Sequence, residues 1–532
     1  MRNRPPILGV MDYAATEAAT PPVRKRRGHK LVLTICAVAV LALLATAAIL
    51  LAVKWPFTQA RMLEELATVT SGSVQIHGFR TTYFPPGCVM ERVEFRQAGN
   101  SGSPPLLTAE RLTIRANYRG LFRKRVEVMH LEDVRLDMGQ KKQKSKSGVT
   151  ETGSNGSSNV NSTTIAEIDV DRAVIEFPRK EKPPLLFNVH RLTFGTFVQG
   201  KPTSFHVTVD NPLPPGFVGA DGQFGPWDTA DIAATPLSGT YRFTDAKLRS
   251  LGGIAGTLSS QGSFAGPART LRVQGATDTP DFEVKSAANP VHLRTQFQAV
   301  VNCTNGDVTL QSIRGELEKT SFAVAGEVAG KTNPRSKVAS LQVNDAGGRI
   351  EDWLRLLAPA QTPAMTGPIS FQAHVTVPGG RRPFIQRVRL GGDFELTDVA
   401  FTKEKTQHGV SELSLRAQGQ KLPDEKEPLP KIPGNLSGHV DLFDGAAHFT
   451  KLSFTVPGAH ASMHGTYSFI DETIDLHGQL EVETKFSATA TGPKGLVTRV
   501  VEPLFAKSRG KGEILPVKLT GSYDHASYGL DK

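Results

Sequence analysis

The sequence predicts an all-β protein, mainly antiparallel, behind a single N-terminal transmembrane helix. Three observations carry that prediction. Apolar and polar residues alternate along most of the chain, turn residues recur at strand-like intervals, and one uninterrupted apolar run stands near the start. With 50 Gly and 35 Pro in 532 residues, the chain has the punctuation of many short elements rather than of long helices.

The apolar run comes first. Residues 31–53, LVLTICAVAVLALLATAAILLAV, hold no charge, Gly or Pro and are long enough to cross a hydrocarbon core of about 30 Å as a helix. Arg24, Lys25, Arg26, Arg27 and Lys30 precede it, whereas only Lys54 and Arg61 follow closely. By the positive-inside rule residues 1–30 are a basic cytoplasmic tail, and the rest of the chain crosses to the other side. Trp55 beside Lys54 suits the far membrane interface. The run exceeds the apolar core of a signal peptide, and its A-x-A triplets, 37–39 and 45–47, lie inside it, which favours an uncleaved anchor. That placement weighs against nucleic acid as the partner of a chain with net charge +11. The basic run Arg119, Arg123, Lys124, Arg125 reads as a solvated face or as a contact for anionic headgroups. Three cysteines, Cys36, Cys88 and Cys303, exclude a disulfide-dense scaffold and multi-cysteine zinc sites.

Strands follow one after another beyond the anchor. In 388–396, Val388, Leu390, Phe394 and Leu396 alternate with Arg389, Asp393 and Glu395; in 474–482, Ile474, Leu476, Leu480 and Val482 alternate with Asp475, His477, Gln479 and Glu481. Phe371 and Val375 belong to a third such stretch, Phe454 to a fourth. Asn305-Gly306 marks a hairpin between 293–303 and 308–313, because both turn residues tolerate positive φ. Helices are expected only at 57–70, 349–357 and 494–505. Residues 139–163 are Lys/Ser/Asn/Gly-rich without any apolar stripe and read as a disordered loop. The chain thus divides into the tail, the anchor (31–53), a membrane-proximal β unit (54–138), the loop (139–163), a β body (164–488) and a C-terminal segment (489–532).

No catalytic, metal or cofactor motif has the spacing its chemistry requires. His460 and His464 fall on a strand, where that spacing does not converge on a metal. Asp169 with Asp171, and Glu351 with Asp352, lack a partner acid, base or metal motif and read as element surface. An enzyme is not expected.

After the anchor, FTQARMLEELATVTSGSVQIHGFRTTYFPPGCVMERVEF resembles the opening of the AsmA-like proteins of Gram-negative envelopes, and LLTAERLTIRANYRGLFRKRVEVMHLEDVRLDM continues the likeness. FTVPGAHASMHGTYSF, ATGPKGLVTRVVEPLF and ILPVKLTGSYDHASYGLD resemble that family's C-terminal region. The resemblance implies a long twisted sheet curled into an open groove, with a chorein-like unit over 54–138, similar to bridge-like lipid-transfer proteins. It implies an inner-membrane protein with its bulk in the periplasm, moving or buffering phospholipid for the outer membrane without catalysis or cofactor. Phe371, Val375, Leu390, Phe394, Leu442, Phe454, Ile474, Leu476, Leu480 and Val482 would then line the groove. About twenty strands at roughly 4.8 Å would make it on the order of 100 Å long. The competing expectation is a non-transporting envelope scaffold whose polar face binds outer-membrane assembly factors or glycans, its protein partners being otherwise unspecified.

Overall fold

The computed structural model describes residues 55–483 and 513–531, apart from 71, 98–104, 124, 138–163, 180–181, 199, 228–231, 331–336, 381, 421, 424–427 and 523–524. The chain forms two compact units, 1–58 and 59–532. Of the first, only 55–58 are described; Trp55 and Phe57 are buried there, with ring centroids 6.1 Å apart. The expected span 31–53, its flanks Arg24 to Lys30 and Lys54, and the expected helix 494–505 lie outside the described residues. Among the described residues no helix is long and apolar enough to cross a membrane.

The second unit opens with the helix Gln59–Thr70 and continues as one curled, open sheet of twenty-six described strands, from Gly72–Thr82 to Ala526–Leu530. Three of these, Phe197–Val198, Ile254–Ala255 and Met365–Thr366, are two-residue pieces. The others pair with their sequence neighbours as a meander. The hairpin expected at Asn305-Gly306 joins Val291–Asn302 to Asp307–Leu317.

One pairing departs from the meander. Arg125–Asp137 runs parallel to Thr164–Arg179, with Arg125 beside Thr164 and Asp137 beside Glu176. A parallel neighbour cannot follow a tight turn, because the chain must return the whole length of the strand. The Lys/Ser/Asn/Gly-rich stretch is the connection that makes this return. The sheet therefore runs unbroken from its first four strands into the body, and likewise from Thr473–Val482 to Glu513–Ser522.

The curl shows in the side chains. Phe205, Gly222, Gly239 and Phe264 stand in register on four adjacent strands. Three strand steps span roughly 14 Å on a flat sheet, yet the two rings lean over the glycines to a centroid separation of 6.4 Å. The backbones approach so closely here that a Cβ on Gly239 would lie 2.1 Å from the Asp221 carbonyl oxygen. Glycine thus permits the bend and clears room on the inner side.

Two helices lie along one rim. Ile350–Leu357 places Trp353 between Phe322 and Phe371, at centroid distances of 5.3 and 5.1 Å. Its seat is polar: Asp345, only 1% exposed, accepts from Trp353 Nε1 (2.7 Å) and from the Gly347 and Gly348 amides (3.0 and 2.6 Å). Asp352 accepts from the Thr320 hydroxyl (2.9 Å) and the Lys319 amide (3.1 Å). The second helix, Glu404–Ala417, packs Val410, Leu413 and Ala417 against the strands around Val456, Leu480 and Leu515. Sequence periodicity does not reveal it, because its buried face carries Gln407, Ser411 and Ser414. These bond the chain at Phe401, Ile432 and Pro457 (2.8, 3.1 and 2.8 Å) instead of joining an apolar stripe.

Candidate functional site: the apolar face of the sheet

Register assigns every strand residue to a face, because side chains alternate with period two. All ten residues expected to line a groove share one face. Phe371 stands beside Phe394, and Val375 beside Leu390, which neighbours Leu442. Phe454 meets Ala461, and Ala461 meets Leu480. Ile474 opposes Tyr467, Leu476 opposes Gly465 and Leu519, and Val482 opposes Ala459.

Their surroundings differ. Leu480, Val482 and Phe454 sit in the cluster under the helix Glu404–Ala417, and Phe371 and Phe394 pack in the cluster that includes Trp353. Val375, Leu390, Leu442 and Ile474 lie away from both clusters and are half-buried.

The same face continues toward the N-terminus through residues that alternation alone does not single out. Val273, Phe297, Ile313, Val324, Leu341 and Val343 carry it across successive strands, all half-buried. It reaches Leu192 and Val170, then Leu131, Leu112 and Met90, in the first strands. Side chains at the middle of a sheet packed against a second layer would be fully buried. Among the described residues Phe297, Ile313, Leu341, Val375, Leu390 and Leu442 keep part of their surface open, whereas Leu476, Leu112 and Met90 on the same face are fully buried (4%, 1% and 0% exposed). A contiguous apolar face on this scale is the kind of surface that marks an interaction site.

Small polar groups on this face are satisfied within the sheet. The Tyr241 and Ser260 hydroxyls lie 3.0 Å apart, Ser260 donates to the Ala276 carbonyl (3.1 Å), and the Thr277 and Thr295 hydroxyls are 2.7 Å apart. They offer no charge to hold a headgroup. Cys88 is buried on the same face, and burial pushes its thiol up to about 12; Cys303 lies exposed in a turn, and both are free.

The opposite face is charged. His190 meets Asp210 (2.7 Å), His206 meets Asp221 (2.6 Å) and His292 meets Asp278 (2.6 Å), each across neighbouring strands. His477 meets Asp531 (2.7 Å) and Asp475 (3.0 Å), and these two hydrogen bonds raise its pKa above the ordinary 6.5. Asp169 and Asp171, unpartnered in the sequence reading, meet His130 from the adjacent parallel strand at 3.3 and 3.8 Å. That trio is a possible cation-binding group by distance, but Arg191 already approaches Asp169 (3.4 Å). A broad depression of about 1180 Å³ on this face is bordered by Arg242, Arg294, Arg314, His292, Asp278 and Glu316.

The chain matches no protein-family model and no curated protein.

Proposed function

We propose that this chain is an inner-membrane-anchored periplasmic protein of AsmA-like type that binds phospholipid along its apolar face and passes or buffers it for the outer membrane. The observation that carries the reading is the contiguous apolar face shared by consecutive strands, half-open through its middle strands and, among the described residues, roofed by helices along one rim. Removing a methylene from water contributes about 0.8 kcal/mol, so an acyl chain of about fourteen methylenes gains roughly 11 kcal/mol on such a surface relative to water. A bilayer offers nearly the same gain. The chain is therefore kept out of water yet remains exchangeable with membranes. Because the face lacks charges, it holds no fixed point along the path, and headgroups stay hydrated at the unroofed rim. The anchor 31–53 supplies attachment to the inner membrane. No catalytic step and no cofactor enter this reading.

The test is to purify the full chain from envelopes in mild detergent and quantify extracted phospholipid by mass spectrometry. Stoichiometric phospholipid supports the reading; protein free of lipid after purification from several detergents overturns it. The second reading, a non-transporting scaffold for outer-membrane assembly factors or glycans, draws on the charged depression around Arg294. It leads if lipid is absent and a partner is retained through that face.

A further inference from the structure

We infer that the loop between the first two strands is a rigid aromatic knuckle that docks on an anionic phospholipid surface, giving the protein a membrane contact separate from its anchor. The knuckle is the turn Tyr83–Pro86, between Gly72–Thr82 and Gly87–Gln97. Phe84 is 87% exposed at its tip, with Tyr83 at 54% and Tyr118 of the neighbouring helix Tyr118–Phe122 at 40%. Together the three rings make an exposed aromatic patch, the kind of apolar surface that marks a contact with a membrane or a partner.

The tip is held firmly. Tyr118 Oη donates to the Tyr83 carbonyl (2.6 Å), the Phe84 and Tyr118 rings lie 5.9 Å apart, and the Ala116 amide donates to the Pro86 carbonyl (2.8 Å). Asn117 caps the short helix through the Gly120 amide and donates to Glu127. Ordering has therefore been achieved before any partner arrives, which lowers the cost of docking.

Charge selects the partner. Arg80, Arg115, Arg119, Arg123 and Arg125 are all exposed at this end of the first four strands. Glu127, two residues beyond Arg125, accepts from the Asn117 amide and leaves the five arginines in excess at this end. Aromatic rings that rest at headgroup depth, surrounded by arginines, match an anionic bilayer surface rather than a neutral one. The apolar run 31–53 stands only a few residues ahead of the helix that leads into this hairpin, so a bilayer that takes up that run is within tether reach. The inference holds whether or not the apolar face of the sheet carries lipid.

The test uses the full chain carrying Phe84→Trp, reconstituted in vesicles of phosphatidylcholine with or without 30 mol% phosphatidylglycerol. Emission of the unsubstituted chain serves as background, and lipids brominated near the headgroup serve as quencher. Each arginine near an anionic surface contributes about fivefold to partitioning. Reversing two (Arg119→Glu with Arg123→Glu) should lower docking at least about 25-fold. The expected result is quenching of the added tryptophan in anionic vesicles, weak quenching in neutral ones, and loss in the double reversal with an unchanged circular-dichroism melt. No quenching in anionic vesicles, or equal quenching in all three cases, overturns the inference. If the reversal variant does not fold, raising salt to 1 M on the Phe84→Trp chain replaces it; quenching that persists unchanged then overturns the charge argument.

Discussion

Replacing Leu341 by Glu separates an open lipid-bearing face from an ordinary packed core. Leu341 is half-buried on the strand Val338–Arg349, between Gly326 and Val375, and away from the helices at the rim. Gly326 has no side chain, so a glutamate there can keep its carboxylate hydrated. The fold then loses only part of one leucine's burial, about 1 to 1.5 kcal/mol, which lowers Tm by a few degrees. Against a second layer, the same carboxylate would be buried without a partner at a cost of several kcal/mol, enough to unfold a marginally stable domain. The effect on lipid is larger than the effect on folding. One strand spacing of about 4.8 Å corresponds to about four methylenes, so the substitution removes about 3 kcal/mol of acyl-chain contact, roughly a hundredfold in occupancy past that strand. The assay is a thermal melt of the purified full chain beside titration with a fluorescent phospholipid. A variant that melts cooperatively near the parent and loses lipid agrees with the reasoning. A variant that fails to fold, or one that folds and binds lipid as before, refutes it.

Three further outcomes are expected. Asp345→Ala leaves Trp353 Nε1 and the Gly347 and Gly348 amides without their buried acceptor. It should cost about 3 kcal/mol or more, read as a lowered Tm with red-shifted tryptophan emission. His477 has its pKa raised by Asp531 and Asp475, so its stabilisation is complete below 6.5 and is lost as pH rises through the raised folded value. Protection factors of the Ala526–Leu530 amides, with exchange rates corrected for the intrinsic pH dependence, should therefore be higher at pH 6 than at pH 8, and His477→Asn should remove that difference. The return from Asp137 to Thr164 must cover about twelve strand residues at roughly 3.3 Å each, on the order of 40 Å. Deleting ten residues from 139–163 should be tolerated, whereas leaving only six should destroy the parallel pairing, as seen by circular dichroism and soluble yield.

Much of the fold was legible because one face of each strand is apolar, and the C-terminal strands show this without interruption: Val388 to Leu396 and Ile474 to Val482 follow strict alternation. Farther upstream, bulges hide the pattern. In Asp307–Leu317 the register shifts between Leu310 and Ile313, so the apolar face passes from even to odd positions within one strand. The glycines at 222, 239, 262 and 275, and the hydroxyls at Ser260, Thr277 and Thr295, belong to the same face yet look like interruptions in sequence. The parallel pair was hidden for a different reason: a polar connection does not disclose which way the next strand runs. The helix Glu404–Ala417 is hard to read from sequence because Gln407, Ser411 and Ser414, each hydrogen-bonded to the backbone, share its inner side with Val410, Leu413 and Ala417 and dilute the apolar stripe. The knuckle was half visible. Its arginines stand out as a basic run, but only the folded hairpin places Phe84 and Tyr118 together among them.

The central claim, that the apolar face of the sheet carries acyl chains, is tested most directly by site-specific photo-crosslinking in intact envelopes. A photoreactive residue at Phe297 probes that face midway along the sheet, and one at Gln296 probes the charged face one residue away. The account predicts phospholipid adducts at position 297 and none at 296. Crosslinks from 297 only to other parts of the same chain, with no lipid at either position, would contradict it.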